Sequence, residues 1–284
     1  MATFLRHEGC PKCGSSDALA IYSDGGAHCF AAGCNYHING GNMITQITEA
    51  APVKACRLNM GGTVAAIPQR RISKETCAAF GVTVEYSTTG EIIRHYYPYY
   101  KVDSNEIGSA KVREVKTKNF HTTGDVTGVG FFGQNRCKTN RYVTITEGEL
   151  EALAVSEMLG SKADVVSLRS GAANAAKEIK EQLEWLEGYE QVVLCFDNDK
   201  AGDAAVDQVK DIFSPNKLKI LKLPVKDASD MLMANKVKDF TQLWWNAKVY
   251  RPDGIVAGVD TWEALVEKRK VKSTPYPWEG LNQL

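Results

Sequence analysis

From Asn140 to about Lys236 the sequence alternates four times between short apolar runs and stretches of helical periodicity. "RYVTIT" leads into "GELEALAVSEMLG" and "DVVSL" into "AKEIKEQLEWLEG". "QVVLCFD" leads into "AGDAAVDQVKDIF", and "KLKILKLP" into "DASDMLMANK". Strands separated by helices must run parallel, because each helix carries the chain back to the edge where the next strand starts. The expected fold over residues 140–247 is therefore a four-stranded, mainly parallel sheet with helices on its faces. Ligands of such sheets bind beyond the carboxyl ends of the strands.

Acidic residues collect at that edge. Glu147 ends the first strand, Asp197 and Asp199 end the third, and Asp227 and Asp230 follow the fourth. Like charges brought together stay ionised only if cations neutralise them. Hard oxygen ligands suit Mg²⁺ or Mn²⁺, two or more, shared with substrate phosphates. This is the arrangement for two-metal phosphoryl transfer. If the extended geometry continues past the strand, Asn198 points away while Asp197 and Asp199 share a face. Asp227 and Asp230 have a plainer reading as helix caps. Glu149, Glu151, Asp203, Asp207 and Asp211 fall on helices and are read as solvated.

Eight cysteines occur in the chain, and four of them cluster at Cys10, Cys13, Cys29 and Cys34. The tight turn of "CPKCG" lets two thiolates face one ion, and four thiolates suit a closed, structural zinc site. His28 or His37 in place of one cysteine is the alternative. "ALAIYSDGGAHCF" reads as two strands around a Ser-Asp-Gly-Gly turn, so residues 1–40 form a zinc ribbon. Cys56, Cys77, Cys137 and Cys195 are scattered and read as inert apolar residues.

Residues 41–66, glycine-rich and weakly periodic, read as a flexible linker. Residues 67–139 form a mixed α+β unit. "RRISKETCAAFG" gives a helix with Ser73 as N-cap and Gly81 as C-cap, and strand-like alternation follows. "KVREVKTKNF" is the densest basic stretch, holding Lys111, Arg113, Lys116 and Lys118. Net charge is zero, yet residues 54–141 hold 14 basic against 7 acidic side chains. Such a face suits phosphates of nucleic acid or a nucleoside triphosphate. A solvated edge strand guarded by lysines fits equally well on its own. No run approaches a membrane span and the N-terminus lacks a signal-peptide core, so a cytosolic protein is expected.

"TEGELEAL" and "FDNDKAG", about fifty residues apart, resemble the Toprim signature of primases, topoisomerases and some nucleases. With the upstream ribbon, "RRISKETC", "NFHTTG", "VVSLRSGAANAAK" and "PVKDASD", nearly the whole chain resembles the primase half of phage bifunctional primase–helicases. That resemblance implies a DNA-dependent RNA polymerase making short primers on single-stranded DNA. It implies Glu147, Asp197 and Asp199 as metal-binding acids with Asp227 a fourth. Lys111 and Lys118 would contact the incoming nucleotide, and the ribbon would read the template. Its partners would be ribonucleoside triphosphates, a replicative helicase, fused or separate, and a DNA polymerase for primer hand-off. The stretched Cys29–Cys34 spacing departs from the family pattern, as does the position of His28.

Residues 248–284 read as a linker with a helix over Asp260–Lys270, ending in "STPYPWEGLNQL", similar to the start of a helicase motor domain. No phosphate-loop motif is present, so the expectation is a monomeric primase half, cut from a longer chain or encoded separately. A Toprim nuclease or topoisomerase, and a non-catalytic zinc/Toprim DNA-binding module, are the competing readings.

Overall fold

The computed structural model describes residues 2–31, 34, 36–38, 57–138, 141–161 and 163–252, with isolated positions at 258, 261, 262, 266 and 277. Cys56, residues 41–56 of the expected linker and most of the expected helix at 260–270 lie outside the described residues. The chain divides into two compact units, Met1–Arg57 and Leu58–Leu284.

In the first unit, β1 (Phe4–Glu8), β2 (Leu19–Tyr22), β3 (Ala27–Cys29) and β4 (His37–Ile38) form an antiparallel sheet in that order. The expected hairpin is β2–β3. Its turn is held by Asp24, whose carboxylate accepts the Gly26 N–H at 2.9 Å, while Gly25 takes φ +81°. Among the described residues its apolar core is one small cluster of Leu19, Ala27, Cys10 and Cys29, with Ala20 also buried. So small a core cannot offset the entropy of ordering the chain, and bound metal must supply the difference.

The second unit opens with a chain segment that the sequence assigns to the linker. Thr63 exchanges backbone hydrogen bonds with Val84 at 3.0 and 2.9 Å, and Asn59 bonds Thr123. Residues 58–66 are therefore part of the folded unit, which shortens the linker. Helix α1 (Lys74–Phe80) begins at Ser73, whose hydroxyl accepts the Thr76 N–H at 3.2 Å, and ends at Gly81 with φ +70°. Strands β5 (Thr83–Tyr86), β6 (Ile92–Tyr100), β7 (Ile107–Glu114) and β8 (Phe120–Gly124) then pair antiparallel in chain order. The register sets Tyr97 opposite Lys111, His95 opposite Arg113, and Arg113 opposite Phe120. Side chains paired this way share a face, so Lys111, Arg113 and Phe120 project together.

The parallel sheet contains β9 (Tyr142–Thr146), β10 (Asp164–Ser167), β11 (Gln191–Cys195), β12 (Leu218–Ile220) and β13 (Lys248–Val249). The order is β10-β9-β11-β12-β13, with the first four parallel and β13 an antiparallel edge. That adds one strand to the expected four. Helices are α2 (Glu149–Met158), α3 (Ala175–Glu181), α4 (Leu183–Glu187), α5 (Lys200–Val209), α6 (Ala228–Met233) and α7 (Val237–Trp245). The sequence suggests one helix where α3 and α4 are broken at Gln182 (φ −111°, ψ 15°), and it gives no warning of α7. Val165, Val193 and Cys195 face α2, α6 and α7 in one core, which also takes in Phe80, Tyr97, Tyr99 and Phe132. Val143, Ile145, Val192 and Leu194 face α3 and α5 in the other. The helix after β9 and the helix after β11 thus lie on opposite faces, which makes the gap between these two strands the topological switch point.

Candidate active site

Glu147 follows β9 and Asp197 follows β11, so both stand at the carboxyl edge on either side of the switch point. Glu147 Oε1 accepts the Asp197 N–H at 2.9 Å, which ties the two strand ends together. Asp227 arrives from the loop after β12 as the N-cap of α6, accepting the Asp230 N–H at 2.8 Å. Glu151, in the first turn of α2, completes the group. A ligand oxygen from each of Glu151, Asp197 and Asp227 lies within 4.8 Å of the others.

The environment resists charge on these acids. Burial, with Asp197, Asp227 and Glu147 alongside, pushes the Glu151 carboxyl up to about 8. Burial and the Asp197 and Asp199 charges raise Glu147, and burial and Asp227 raise Asp197. Lys226, 3.5 Å from Asp197, offsets part of this. Closely spaced hard oxygens with too little positive charge beside them fit a divalent cation of the Mg²⁺ class. Glu147 belongs to the same edge. Asp199 is exposed and spends one oxygen on the α5 N-terminus, accepting from Ala201 and Gly202 N–H at 2.9 and 3.0 Å. Asp230 is exposed and contributes only its N–H to the Asp227 cap.

Gly202 explains the last residue of "FDNDKAG". A Cβ there would fall 2.0 Å from the Asp197 carbonyl oxygen and 2.9 Å from Glu147 Oε1. Only glycine lets the first turn of α5 press against the acidic loop.

Two acids read as solvated are not. Glu149 is buried, accepting from Lys111 Nζ at 2.8 Å and from the Tyr99 hydroxyl. Glu151 is part-buried within the carboxylate group and also accepts the Gly148 N–H at 2.9 Å. The reason lies in α2 itself, which buries Ala152, Leu153, Ala154, Val155, Ser156 and Met158. A helix apolar on all sides is enclosed, and its first turn is enclosed with it. "ELEALAV" carried that signal. The other three helix acids are exposed, as expected: Asp207 pairs Lys210, Asp203 pairs Lys222 and Asp211 accepts from Tyr250.

Among the predicted basic residues, Lys111 reaches across to Glu149 and to the Arg169 carbonyl at 3.0 Å. Arg113 is buried, while Lys116 and Lys118 are exposed in the β7–β8 turn. Lys118 holds φ +60°, and this left-handed residue closes the turn with Lys118 N–H donating to Glu114 O at 2.9 Å.

In the first unit, Cys10, Cys13, Cys29 and Cys34 bring their sulfurs within 4.8 Å of one another. Cys10–Cys34 and Cys13–Cys29 separations are 3.7 and 3.6 Å. A tetrahedron with Zn–S bonds of about 2.3 Å puts its corners about 3.8 Å apart, so the four thiols fit zinc. Neither His28 nor His37 joins the cluster; their rings meet at 5.6 Å, and His28 also packs on Phe30 at 4.7 Å.

A Toprim-like family matches residues 144–232, the span that holds all the acids above. The DNA helicase/primase of Enterobacteria phage T3 is 32% identical over 274 residues, 93% of this chain. The primase fragment of the bacteriophage T7 primase–helicase has the same fold, with a TM-score of 0.62 and 30% identity. That match covers 86% of this chain and 100% of the fragment. The chain belongs to the phage primase–helicase family. Within the family it corresponds to the primase half, and it spans 47% of the length of the T3 relative. A further T7 structure holds the primase domains of two subunits bound to an RNA/DNA hybrid, interacting with the lagging-strand DNA polymerase. It matches at a TM-score of 0.61 and 33% identity, over 66% of this chain and 94% of that one.

Proposed function

We propose that the chain is a DNA primase, synthesising short oligoribonucleotides on single-stranded DNA from ribonucleoside triphosphates. The observation that carries this reading is the convergence of Glu151, Asp197 and Asp227 within 4.8 Å at the carboxyl edge of a primase-type parallel sheet. Glu147, Glu151, Asp197, Asp199 and Asp227 would hold two or more Mg²⁺ or Mn²⁺ ions. When bound, such ions activate an attacking hydroxyl and stabilise the leaving pyrophosphate.

The chain's own residues do the rest. Glu147 fixes the Asp197 loop through its backbone N–H. Lys226, 3.5 Å from Asp197, offers a positive charge beside the acids where a substrate phosphate would lie. Lys111 and Arg113 supply positive potential from one strand face, and the exposed Lys116 and Lys118 engage the triphosphate. The Cys10/Cys13/Cys29/Cys34 ribbon, residues 1–40, carries one structural zinc and reads the template. Residues 67–139 form the basic subdomain and 140–247 the catalytic one, and residues 248–284 lead toward a helicase. A replicative helicase and a DNA polymerase that takes over the primer are its partners, in the host-cell cytoplasm. Among the described residues no helix is long and apolar enough to cross a membrane.

The test supplies ribonucleotides, Mg²⁺ and a mixed-sequence single-stranded template. Wild type yields short oligoribonucleotides and Asp197→Ala does not. Equal output from the two, or none from wild type on any template, refutes the reading.

A further inference from the structure

Phe120, the first residue of β8, is 50% exposed although two cations lie beside it. Its ring is not loose on the surface. Lys111 Nζ lies 4.9 Å from the ring centroid and Arg113 Cζ lies 5.8 Å from it. The register explains both contacts, since Phe120 pairs with Arg113 and its same-face neighbour Thr122 pairs with Lys111. The left-handed Lys118 and the Glu114–Asn119 backbone bond at 2.9 Å fix the turn that sets this register. Lys111 in turn bonds Glu149 at 2.8 Å, two residues before Glu151 in α2. The ring centroid is therefore within about 8 Å of the Glu149 carboxylate.

A solvent-facing aromatic ring costs free energy when left uncovered, and here two cations are laid against it. Cations beside a ring favour stacking of a further π-system that brings phosphate charge with it. A nucleoside triphosphate has both parts: phosphates for the acid-bound metals and lysines, and a base for the ring. We propose that Phe120 is the stacking platform for the nucleobase of the incoming ribonucleoside triphosphate. This rests on the primase reading above and adds to it the residue that holds the base. Phe120 is a positioning residue: it fixes where the sugar hydroxyl and α-phosphate lie and takes no part in bond making.

The experiment measures binding separately from synthesis. ATP and inorganic tripolyphosphate are titrated, each with Mg²⁺, into wild type, Phe120→Leu, Phe120→Tyr and Lys118→Ala, with melting curves run in parallel. Stacking on an aromatic ring contributes about 1–3 kcal/mol per base, a factor of about 5 to 150. Phe120→Leu is expected to weaken ATP by about tenfold or more and leave tripolyphosphate unchanged. Phe120→Tyr restores ATP binding, and Lys118→Ala weakens both ligands. In primer synthesis Phe120→Leu raises KM for the nucleotide more than it lowers kcat. Equal ATP affinity in wild type and Phe120→Leu overturns the platform and leaves the primase reading intact. Equal loss of ATP and tripolyphosphate in Phe120→Leu overturns it as well. Wild type that binds no nucleoside triphosphate overturns both.

Discussion

Lys111 is the cation on which two roles converge, and its removal separates them. Lys111→Met leaves the Glu149 carboxylate, 3% exposed, with the Tyr99 hydroxyl but without its cation. At 2.8 Å and an effective dielectric near 20 the gross attraction is about 6 kcal/mol. Desolvating the ammonium cancels much of that, and breaking a buried pair costs about 3–5 kcal/mol in net terms. Lys111 keeps 19% of its side-chain exposure, which screens the pair and places the expected loss near 3 kcal/mol. With a urea slope of about 3 kcal/mol/M, the midpoint falls by about 1 M. Glu149→Gln is milder, about 1–2 kcal/mol, because Lys111 retains the Arg169 carbonyl and access to water. The double variant Lys111→Met/Glu149→Gln is then more stable than additivity predicts by about 1.5 kcal/mol or more. Tryptophan-monitored urea unfolding of the four proteins gives all the terms. A Lys111→Met midpoint within about 0.2 M of wild type (~0.6 kcal/mol), or strict additivity in the cycle, refutes a structural pair. In that case Lys111 is free for phosphate. If the loss is near 3 kcal/mol, weakened nucleotide binding in Lys111 variants has to be separated from a disturbed α2.

Other consequences can be measured directly. Glu151 sits at about 8 when folded against an ordinary 4.5. With chelator present, stability should fall as pH rises from about 4.5 to about 8, since the folded state binds the extra proton over that window. Added Mg²⁺ lessens the fall and Glu151→Gln flattens it; a rise with pH over that window contradicts the assignment. Cys13→Ser should lower zinc from one ion per chain to well below that by atomic absorption and unfold the 2–38 ribbon, whose apolar core cannot stand alone. Gly202→Ala must move the Asp197 carbonyl, now 2.0 Å from the new Cβ, and displacing the loop by about 1 Å should cost about a hundredfold in primer synthesis. Retained activity there shows that the loop is not held by the α5 contact.

The sheet could be read from sequence because each signal was local. Strand and helix periods alternate, Ser73 and Gly81 mark the ends of α1, and the Ser-Asp-Gly-Gly turn marks a hairpin. Cysteine spacing announced the four-thiol cluster for the same reason. What escaped were properties of neighbours distant in sequence. Whether Glu149 and Glu151 meet water depends on β6, β7 and the Asp197 loop, which cover the start of α2. Asp199 looked equivalent to Asp197, yet the helix that follows it turns its carboxylate toward two amides. Helix α7 is fixed by a contact between residues a hundred positions apart, in which Trp244 donates to Thr144 at 2.9 Å. The split of α3 from α4 at Gln182 likewise follows from packing, with no proline or glycine at the joint.

The central claim is that this acidic edge copies template into RNA. The most direct measurement sequences every oligoribonucleotide made by wild type and by a folded Asp197→Asn variant on templates covering all trinucleotides. Short products complementary to particular templates, present with wild type and absent with Asp197→Asn, are predicted. Products unrelated to template sequence, equal yields from both proteins, or cleaved DNA in place of new RNA would contradict it.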